Sequence, residues 1–266
     1  HFELIVHDLT DSSLKMPEAD FVFFETPTNP FLYSISIKSI SQSFKTKNPN
    51  CIIIVDNTWA TPLYQHPCEH GADISLHSAT KYISGHSDVM GGILLLNDEV
   101  LETKLRTYRF LSGANLDPHS AWLLRRSLMT LEVRVEKQHK TTLEILAFLK
   151  ERKEIEKIYY PTIDQQLTKY PTLVFFDIKA VYISQYLEFL SHLNLFSTGT
   201  GMACVTAMIA QPFTGSHASM ENNEKIEMGL TAKTIRLSFG LEEPVDLINE
   251  LSYAFDQLTA CVCSQY

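Results

Sequence analysis

The sequence has no long apolar run, few glycines and fewer basic than acidic residues. No stretch approaches the roughly 20 consecutive apolar residues of a transmembrane helix, which excludes a membrane-spanning protein. Only 22 lysine and arginine residues stand against 31 aspartate and glutamate residues, and the formal net charge of −9 argues against nucleic acid as a partner. The residues that follow His1 do not have the pattern of a signal peptide, so we expect none. With 45% hydrophobic residues, the 266 residues indicate a soluble globular protein of one or two domains.

Cysteine occurs five times without the spacing of a disulfide framework, which favours a reducing compartment such as the cytoplasm. The five are Cys51, Cys68, Cys204, Cys261 and Cys263. Cys51 opens an apolar run and is expected to be a small buried hydrophobe. His66, Cys68 and His70 alternate along the chain and could be read as metal ligands. Three mixed donors without a second pair, interrupted by Pro67, are a weak zinc signal, so we expect no metal.

Short apolar runs alternate with a helical pattern in the first half of the chain. The runs are typical of strands and cover residues 21–24, 51–55, 74–77 and 92–96. The segment 35–44 lies between the first two runs, and its apolar residues recur at helical spacing. Strands that are apolar on both faces belong to parallel sheets covered by helices. The pattern therefore predicts an α/β domain with a mostly parallel sheet.

The second half of the chain has a different pattern, which begins with a helix. Asp117 and Pro118 are typical of a helix N-terminus, and the apolar residues from Trp122 to Val135 predict one long helix. The later predicted elements are a helix at 143–149, a strand at 173–176, a helix at 183–190, a Gly/Thr-rich loop at 197–201, a strand at 235–237 and a helix at 245–258. They indicate a smaller α+β domain, with domains over residues 1–130 and 131–266.

Polar and charged residues follow each of the first three predicted strands. They are Glu25 to Pro30 after the first strand, Asp56 to Thr58 after the second, and Ser78 to Lys81 after the third. In an open parallel sheet, ligands bind outside the carboxyl ends of the strands. An acid, an amide, two hydroxyls and a lysine are therefore expected to converge on one crevice.

Each of these residues has an ordinary explanation when it is taken alone. Asp56 could be a turn residue or a helix cap, and Ser78 and Thr80 could also be caps. Lys81 could be a solvated charge. Together, however, the hydroxyls and their backbone amides can hold a phosphate, the lysine can form an imine with an aldehyde, and the carboxylate can keep a heteroaromatic nitrogen protonated. Pyridoxal 5′-phosphate makes these three demands, so we predict it as the cofactor.

Three ordered segments carry a more specific pattern. They are ETPTNP at 25–30, VDNTWATP at 55–62 and GADISLHSATKYISGHSDVMGG at 71–92. These segments resemble the Cys/Met-metabolism family of pyridoxal phosphate enzymes, which includes cystathionine γ-synthase and the cystathionine β- and γ-lyases. Weaker similarity extends over 122–135 and 236–242. The resemblance implies the fold-type I, aminotransferase-like α/β fold, with a smaller α+β C-terminal domain.

The resemblance assigns a role to each residue of the predicted cofactor site. Lys81 corresponds to the Schiff-base lysine, which would also move protons between Cα, the cofactor and Cβ or Cγ. Asp56 would pair with the ring nitrogen and Asn29 with the ring 3-hydroxyl. Ser78 and Thr80 would bind the phosphate.

Other residues correspond to family positions on the substrate side or near the cofactor. Arg236 would bind the substrate α-carboxylate through both arms of its guanidinium. Ser197 would steady the lysine or the carboxylate from a substrate loop whose sequence departs from the family pattern. Glu25 would support the loop near the cofactor. His77 and His86 are expected to pack and form hydrogen bonds rather than exchange protons.

The implied function is elimination or replacement at Cβ or Cγ of a sulfur-containing or O-acylhomoserine-type amino acid. Two alternatives stay open: γ-replacement in a specialised biosynthetic pathway, and a non-catalytic relative that acts as a partner or scaffold. The family also implies a homodimer or homotetramer with active-site residues shared between subunits. Its phosphate-binding glycine turn has no counterpart in the sequence, so we expect that the N-terminal part of the cofactor domain is missing.

Overall fold

The computed structural model describes residues 3–11 and 15–263, with side chains up to residue 260. His1 lies outside the described residues, as do the side chains of Cys261 and Cys263. The contacts divide the chain into two compact units. The first unit comprises His1–Ala79, Met90–Trp122 and Pro161–Lys169, and the second comprises Thr80–Val89, Leu123–Tyr160 and Tyr170–Tyr266. The domain boundary after residue 130 stays a prediction, because compactness does not test which segments act as domains.

The first unit is built on a four-stranded sheet. Its strands are β1 (Phe21–Glu25), β2 (Ile52–Asp56), β3 (Ile74–Ser78) and β4 (Gly92–Leu95), in that order across the sheet. The first three strands are parallel, which confirms the mostly parallel sheet, whereas β4 is antiparallel to β3. The reversal follows from the connection: the chain leaves β3 at Ser78 and returns to the same edge at Gly92, which pairs with Ser78.

Helix α1 (Ile37–Lys47) packs with strands β1 and β2 in a shared core. The buried residues of this core include Val22, Phe24, Ile37, Ile40, Phe44 and Cys51. The burial of Cys51 confirms its prediction as a small core residue. On β1, by contrast, Phe21 and Phe23 are each 61% exposed and alternate with the buried residues. The prediction that the strands are covered on both faces is therefore wrong for β1, as far as the described residues go.

Helical segments of different lengths complete the first unit. They are α2 (Thr61–Tyr64), a 3₁₀ helix at Pro67–His70, α3 (Glu99–Ser112) and the first turns of α4 (Pro118–Leu128). Helix α3 has no counterpart among the predicted elements, and none of its residues is buried in the described part of the chain. Residues 3–11 and 15–263 contain no group of three or more potential metal ligands. They also contain no helix that is both long and apolar enough to cross a membrane.

The predicted long helix of the second half is two helices, and this prediction was wrong in its continuity. Helix α4 ends before α5 (Leu131–Lys150) begins. Asp117 caps α4 as predicted, since its carboxylate accepts two backbone amides at 2.9 and 3.0 Å. Between the helices, the side chain of Arg134 donates to the carbonyl oxygen of Ser127 at 3.0 Å and so stabilises the break. The separate helix predicted at 143–149 is the last part of α5.

The second unit is built on a five-stranded sheet. Its strands are β5 (Ile155–Tyr159), β6 (Leu173–Ile178), β7 (Ser197–Thr198), β8 (Met208–Ala210) and β9 (Thr234–Ser238), arranged as β5-β6-β9-β8-β7. The later helices are α6 (Tyr186–Ser191), α7 (Asn222–Glu227) and α8 (Pro244–Cys263). Helix α8 buries one face in the core through Leu247, Leu251, Ala254, Phe255 and Leu258. This spacing is typical of an amphipathic helix.

Two predicted elements of the second unit differ from the structure. The helix predicted at 183–190 is α-helical only from Tyr186, because Ala180–Gln185 forms a 3₁₀ helix. The loop predicted at 197–201 begins with the short strand β7, which pairs in parallel with β8. Backbone pairing at the sheet edge therefore overrides the local preference of the Gly/Thr-rich sequence for a loop.

Candidate active site

The carboxyl ends of β1, β2 and β3 carry the predicted residues of the first unit. Glu25 is in register with Asp56 on the neighbouring strand. The Asp56 Oδ1 atom accepts the Thr58 backbone N–H at 2.9 Å, and the Thr58 hydroxyl accepts the Ser78 N–H at 2.7 Å. Asn29 is tied to this edge because its backbone N–H donates a short hydrogen bond to Glu25 Oε1. The structure therefore brings Asn29, Asp56 and Ser78 to one edge of the sheet.

Glu25 is partly buried beside a second carboxylate. Burial is the main cause that raises the pKa of Glu25 to about 7. The hydrogen bond from the Asn29 N–H lowers this pKa, and the negative charge of Asp56 raises it. Glu25 therefore changes its ionisation close to neutral pH while it holds the Asn29 turn.

Replacing Glu25 with glutamine should stabilise the protein above pH 7. The folded-state pKa of about 7 lies above the ordinary value of 4.5, so the folded state binds more protons than the unfolded state between these values. The free energy of unfolding therefore falls as the pH rises from 4.5 to about 7. Above pH 7 the charged Glu25 side chain lowers it by roughly 2–3 kcal/mol. Glutamine keeps an acceptor for the Asn29 N–H without the charge.

Urea unfolding at pH 5 and pH 8 measures this effect, with the exposed Glu18→Gln as the matched control. The wild type and the control should both lose stability between the two pH values, and Glu25→Gln should lose less. An equal loss in all three proteins would contradict the assignment of the raised pKa to Glu25.

His77 lies on β3, next to the strand end that carries Ser78. Its side chain is 1% exposed, and its Nε2 atom lies 3.1 Å from the Ser75 hydroxyl oxygen. Burial lowers the pKa of His77 to about 4, although the charge of Asp56 opposes this shift. His77 is therefore neutral at physiological pH, which fits the prediction that it packs and forms hydrogen bonds.

Lys81 lies in the second unit, in the turn that follows Thr80. The turn is closed by a hydrogen bond from the Gly85 N–H to the Lys81 carbonyl oxygen at 2.7 Å. The side chain is partly buried, and no hydrogen bond or ion pair between described residues involves its ammonium group. Burial lowers the pKa of Lys81, as does the positive charge of Arg236, whereas Cys204 raises it. An amine with these properties has an increased neutral, nucleophilic fraction.

Arg236 lies on β9 and is 1% exposed. Its Nη2 atom donates to the carbonyl oxygens of Thr200 and Gly201 at 3.0 and 2.8 Å. Its Nε atom is buried without a hydrogen-bond partner, and no carboxylate among the described residues pairs with the guanidinium. Burial lowers the pKa of Arg236 to about 10, against the effect of Tyr170 and Tyr82. The guanidinium is thus desolvated and keeps a donor for an anion.

Ser197 is exposed on β7, two strands away from Arg236 in the sheet order. No contact of Ser197 with Lys81 or Arg236 occurs among the interactions of the described residues, so its role stays a prediction. The loop residues that do contact Arg236 are Thr200, Gly201 and Met202. The sequence predicted a substrate loop here, but it gave no signal for the contacts of Thr200, Gly201 and Met202 with Arg236.

The donor set of the chain fits pyridoxal 5′-phosphate. The chain offers a carboxylate at Asp56 for a ring nitrogen and hydroxyls at Ser78 and Thr80 for a phosphate. It also offers an unpaired amine at Lys81 for an aldehyde. The buried Nε atom of Arg236 lacks a partner, as expected of a group that awaits a carboxylate ligand. The fold and these side chains therefore define a fold-type I pyridoxal phosphate protein.

The chain belongs to the Cys/Met metabolism PLP-dependent enzyme family, whose profile matches residues 7–256. It is 35% identical over 245 residues to the cystathionine gamma-lyase of Dictyostelium discoideum, a match that covers 89% of this chain and 62% of the relative. It is 33% identical over 269 residues to the cystathionine beta-lyase of Lactococcus lactis subsp. cremoris (strain MG1363), with 95% and 70% covered. These matches confirm the family resemblance and its pyridoxal phosphate cofactor.

Solved structures support the fold assignment. The crystal structure of the cystathionine gamma-lyase from Micromonospora echinospora matches with a TM-score of 0.86 at 30% identity, over 94% of this chain and 68% of that chain. A cystathionine gamma synthase from Xanthomonas oryzae pv. oryzae, solved in complex with cystathionine, matches with a TM-score of 0.85 at 28% identity, over 91% and 64%. The chain therefore spans about two thirds of the length of its relatives, between 62% and 70% in these four matches.

Proposed function

We propose that the protein is a pyridoxal phosphate-dependent lyase or transferase that eliminates or replaces a substituent at Cβ or Cγ of a sulfur-containing or O-acylhomoserine-type amino acid. One observation carries the proposal: the second unit holds an unpaired amine at Lys81 and a buried guanidinium at Arg236 without a carboxylate partner. An amino acid has the amino and carboxylate groups that these two side chains would bind. The names of the relatives support the reaction class.

The cofactor residues have separate tasks in this proposal. When bound, pyridoxal phosphate supplies an electron-accepting ring that stabilises negative charge at the substrate Cα. Asp56 keeps the ring nitrogen protonated, and Asn29 binds the ring 3-hydroxyl. Ser78 and Thr80 hold the phosphate through hydroxyl and backbone donors. The Thr58 N–H leaves the second oxygen of Asp56 for this contact, since it binds Oδ1.

Lys81 acts as the base of the reaction. Its lowered pKa increases the fraction of neutral amine at physiological pH, which is the form that accepts a proton from Cα. Part of this shift comes from Arg236, which holds the substrate carboxylate in the proposal. Binding of the carboxylate would screen the charge of Arg236, so substrate binding itself would tune the basicity of Lys81.

The choice between elimination and replacement is tested by product analysis. Purified protein loaded with pyridoxal phosphate is incubated with cystathionine alone, and separately with an O-acylhomoserine plus cysteine. Pyruvate reports β-elimination, 2-oxobutyrate reports γ-elimination, and a new thioether reports γ-replacement. Cofactor binding with no product from either mixture would contradict the enzyme assignment and favour a non-catalytic relative.

We also propose that the protein acts in the cytoplasm and forms a homo-oligomer. The exposed Phe21 and Phe23 on β1 support association, because large apolar side chains are seldom left side by side in water. The absence of a disulfide framework supports a reducing compartment. Light scattering of the purified protein tests the first point, and a monomer at working concentration would contradict it.

A further inference from the structure

Helix α5 buries polar side chains where a core helix usually buries apolar ones. Arg134, Gln138 and Thr142 follow one another at intervals of four residues and are 4%, 0% and 0% exposed. This spacing places them on one face of the helix. We call these three residues the polar face of α5. Burial of such groups costs free energy unless each one finds a hydrogen-bond partner.

Arg134 holds the turn that carries Lys81. Its Nη1 atom donates to the Tyr82 carbonyl oxygen at 2.8 Å, and its Nη2 atom lies 3.4 Å from that of Ile83. A Cβ atom on Gly85 would lie 2.9 Å from the Arg134 Cζ atom. The guanidinium therefore fits against the turn only because position 85 is glycine, which also has a left-handed φ of +70°.

Gln138 holds two further segments of the second unit. Its Nε2 atom donates to the carbonyl oxygens of Cys204 and Phe239 at 2.8 and 3.2 Å. Cys204 follows the loop residues that contact Arg236, and Phe239 follows the strand that carries Arg236. The Gln138 Oε1 atom is buried without a hydrogen-bond partner, which lowers the stability of the folded state.

The segments held by the polar face are also bonded to one another. The Val205 N–H donates to the Gly85 carbonyl oxygen at 2.9 Å, which joins the Lys81 turn to the loop of Cys204. The Ala203 N–H donates to the Ser238 hydroxyl at 2.9 Å, which joins the same loop to β9. A continuous set of hydrogen bonds and chain segments therefore runs from Lys81 to Arg236, and Arg134 and Gln138 of α5 bind segments at both ends of it.

We propose that the polar face of α5 is a positioning element that fixes the Lys81 amine relative to the Arg236 guanidinium. The inference rests on the proposed function, in which these two groups bind the same amino acid. Arg134 and Gln138 are positioning residues, since they act through the backbone segments that they hold. A displacement of about 1 Å between reacting groups can cost about 100-fold in rate.

The test compares Gln138→Met and Arg134→Met with the conservative Arg134→Lys. Lys137→Met is the matched control, because Lys137 is on the same helix and its ammonium group pairs with the exposed Glu243 at 2.9 Å. In Gln138→Met the Phe239 carbonyl keeps its bond from the Thr172 hydroxyl at 2.7 Å, so the main loss is the tether to Cys204. All four variants are first checked for folding by circular dichroism and thermal unfolding.

Two readouts follow on the folded variants. In the cofactor-free protein, an amine-acylating reagent is applied, and mass spectrometry compares the labelling rate of Lys81 with that of Lys104. We expect the Lys81 rate to change at least about threefold in the two methionine variants and to stay constant in Lys137→Met. With cofactor and substrate, kcat should fall by about 100-fold in the methionine variants, by less in Arg134→Lys, and KM should change little.

The outcomes separate this inference from the proposed function. If the wild type forms product and the folded Gln138→Met and Arg134→Met variants match it in Lys81 labelling and kcat, the positioning role is overturned. If only thermal stability falls, the polar face is merely structural, and the inference is again overturned. If the wild type binds no cofactor and forms no product, the proposed function fails, while the labelling comparison still tests whether α5 positions Lys81.

Discussion

Replacing Lys81 with alanine should abolish turnover and the covalent attachment of the cofactor to the protein. In the proposed reaction one amine both attaches the cofactor and moves protons, so no neighbouring group can replace it. The neighbouring cation that lowers the pKa of Lys81 is Arg236, whose guanidinium donates to carbonyl oxygens and is a poor base. We expect kcat to fall by at least about 10,000-fold, the upper range for loss of a general base.

The measurement combines turnover and chemical mapping. Borohydride reduction followed by peptide mass analysis should find the cofactor on the peptide that contains Lys81 in the wild type. The alanine variant should show no such adduct, and Lys104→Ala on the exposed helix α3 should behave like the wild type. Added methylamine should restore part of the activity by occupying the space of the lost side chain. A borohydride-stable adduct that persists in Lys81→Ala would refute the assignment of the lysine.

The sequence predicted the first three strands of the cofactor unit because local pattern and tertiary environment agree there. Apolar runs such as 51–55 are buried against α1, and each run ends in polar residues where a parallel sheet opens. The register of Glu25 with Asp56 then follows from parallel pairing. Asp56, Ser78 and Lys81 could be selected for the same reason: their positions relative to strand ends are local properties of the sequence.

The features that the sequence did not predict depend on contacts between residues that are distant in the sequence. Arg134, which bonds Ser127 across the break between α4 and α5, also bonds the carbonyl oxygens of Tyr82 and Ile83, which lie some 50 residues earlier. The polar face of α5 likewise satisfies carbonyl groups of distant loops, so its residues look like a solvated face in the sequence. The intervals of four residues between Arg134, Gln138 and Thr142 were a signal, but they do not reveal that this face is buried.

The contacts of the substrate loop were also not predictable from the sequence. The sequence indicated a loop over 197–201, and the family resemblance selected Ser197 in it as a residue that steadies the lysine or the carboxylate. The structure pairs Ser197 with Met208 at the edge of the sheet, which leaves the role of Ser197 a prediction, and it shows backbone carbonyl groups of Thr200 and Gly201 in contact with Arg236. A carbonyl group is common to all residues, so no residue type could have identified these partners.

Replacing Arg236 with methionine should weaken substrate binding and stabilise the fold at the same time. The guanidinium is 1% exposed, has no carboxylate partner among the described residues, and leaves its Nε atom without a hydrogen bond. An apolar side chain of similar length removes this desolvation cost, and we expect a gain of about 1–3 kcal/mol in the free energy of unfolding. The same change removes the partner of the substrate carboxylate, so KM should rise by about 100-fold or more.

The lowered pKa of Arg236 predicts how the stabilisation by Arg236→Met depends on pH. The pKa of Arg236 is lowered to about 10 in the folded state, against an ordinary value of 12.5. The unfolded state therefore binds more protons between these values. The destabilisation caused by burying the charged guanidinium is thus at its full size below about pH 10 and declines only above that pH. The stabilisation of Arg236→Met should accordingly be constant between pH 6 and 9, where urea unfolding is measured.

A substrate analogue that lacks the carboxylate separates the two effects of this substitution. An amine of the same length should bind equally to the wild type and to Arg236→Met, because only the carboxylate loses its partner. The amino-acid substrate, by contrast, should show the full increase in KM in Arg236→Met relative to the wild type. Because Arg236 also lowers the pKa of Lys81, the variant should move the acidic limb of the activity profile, on which Lys81 loses its proton, to higher pH. A variant that is less stable than the wild type and binds both ligands equally well would show that Arg236 supports the fold rather than the substrate.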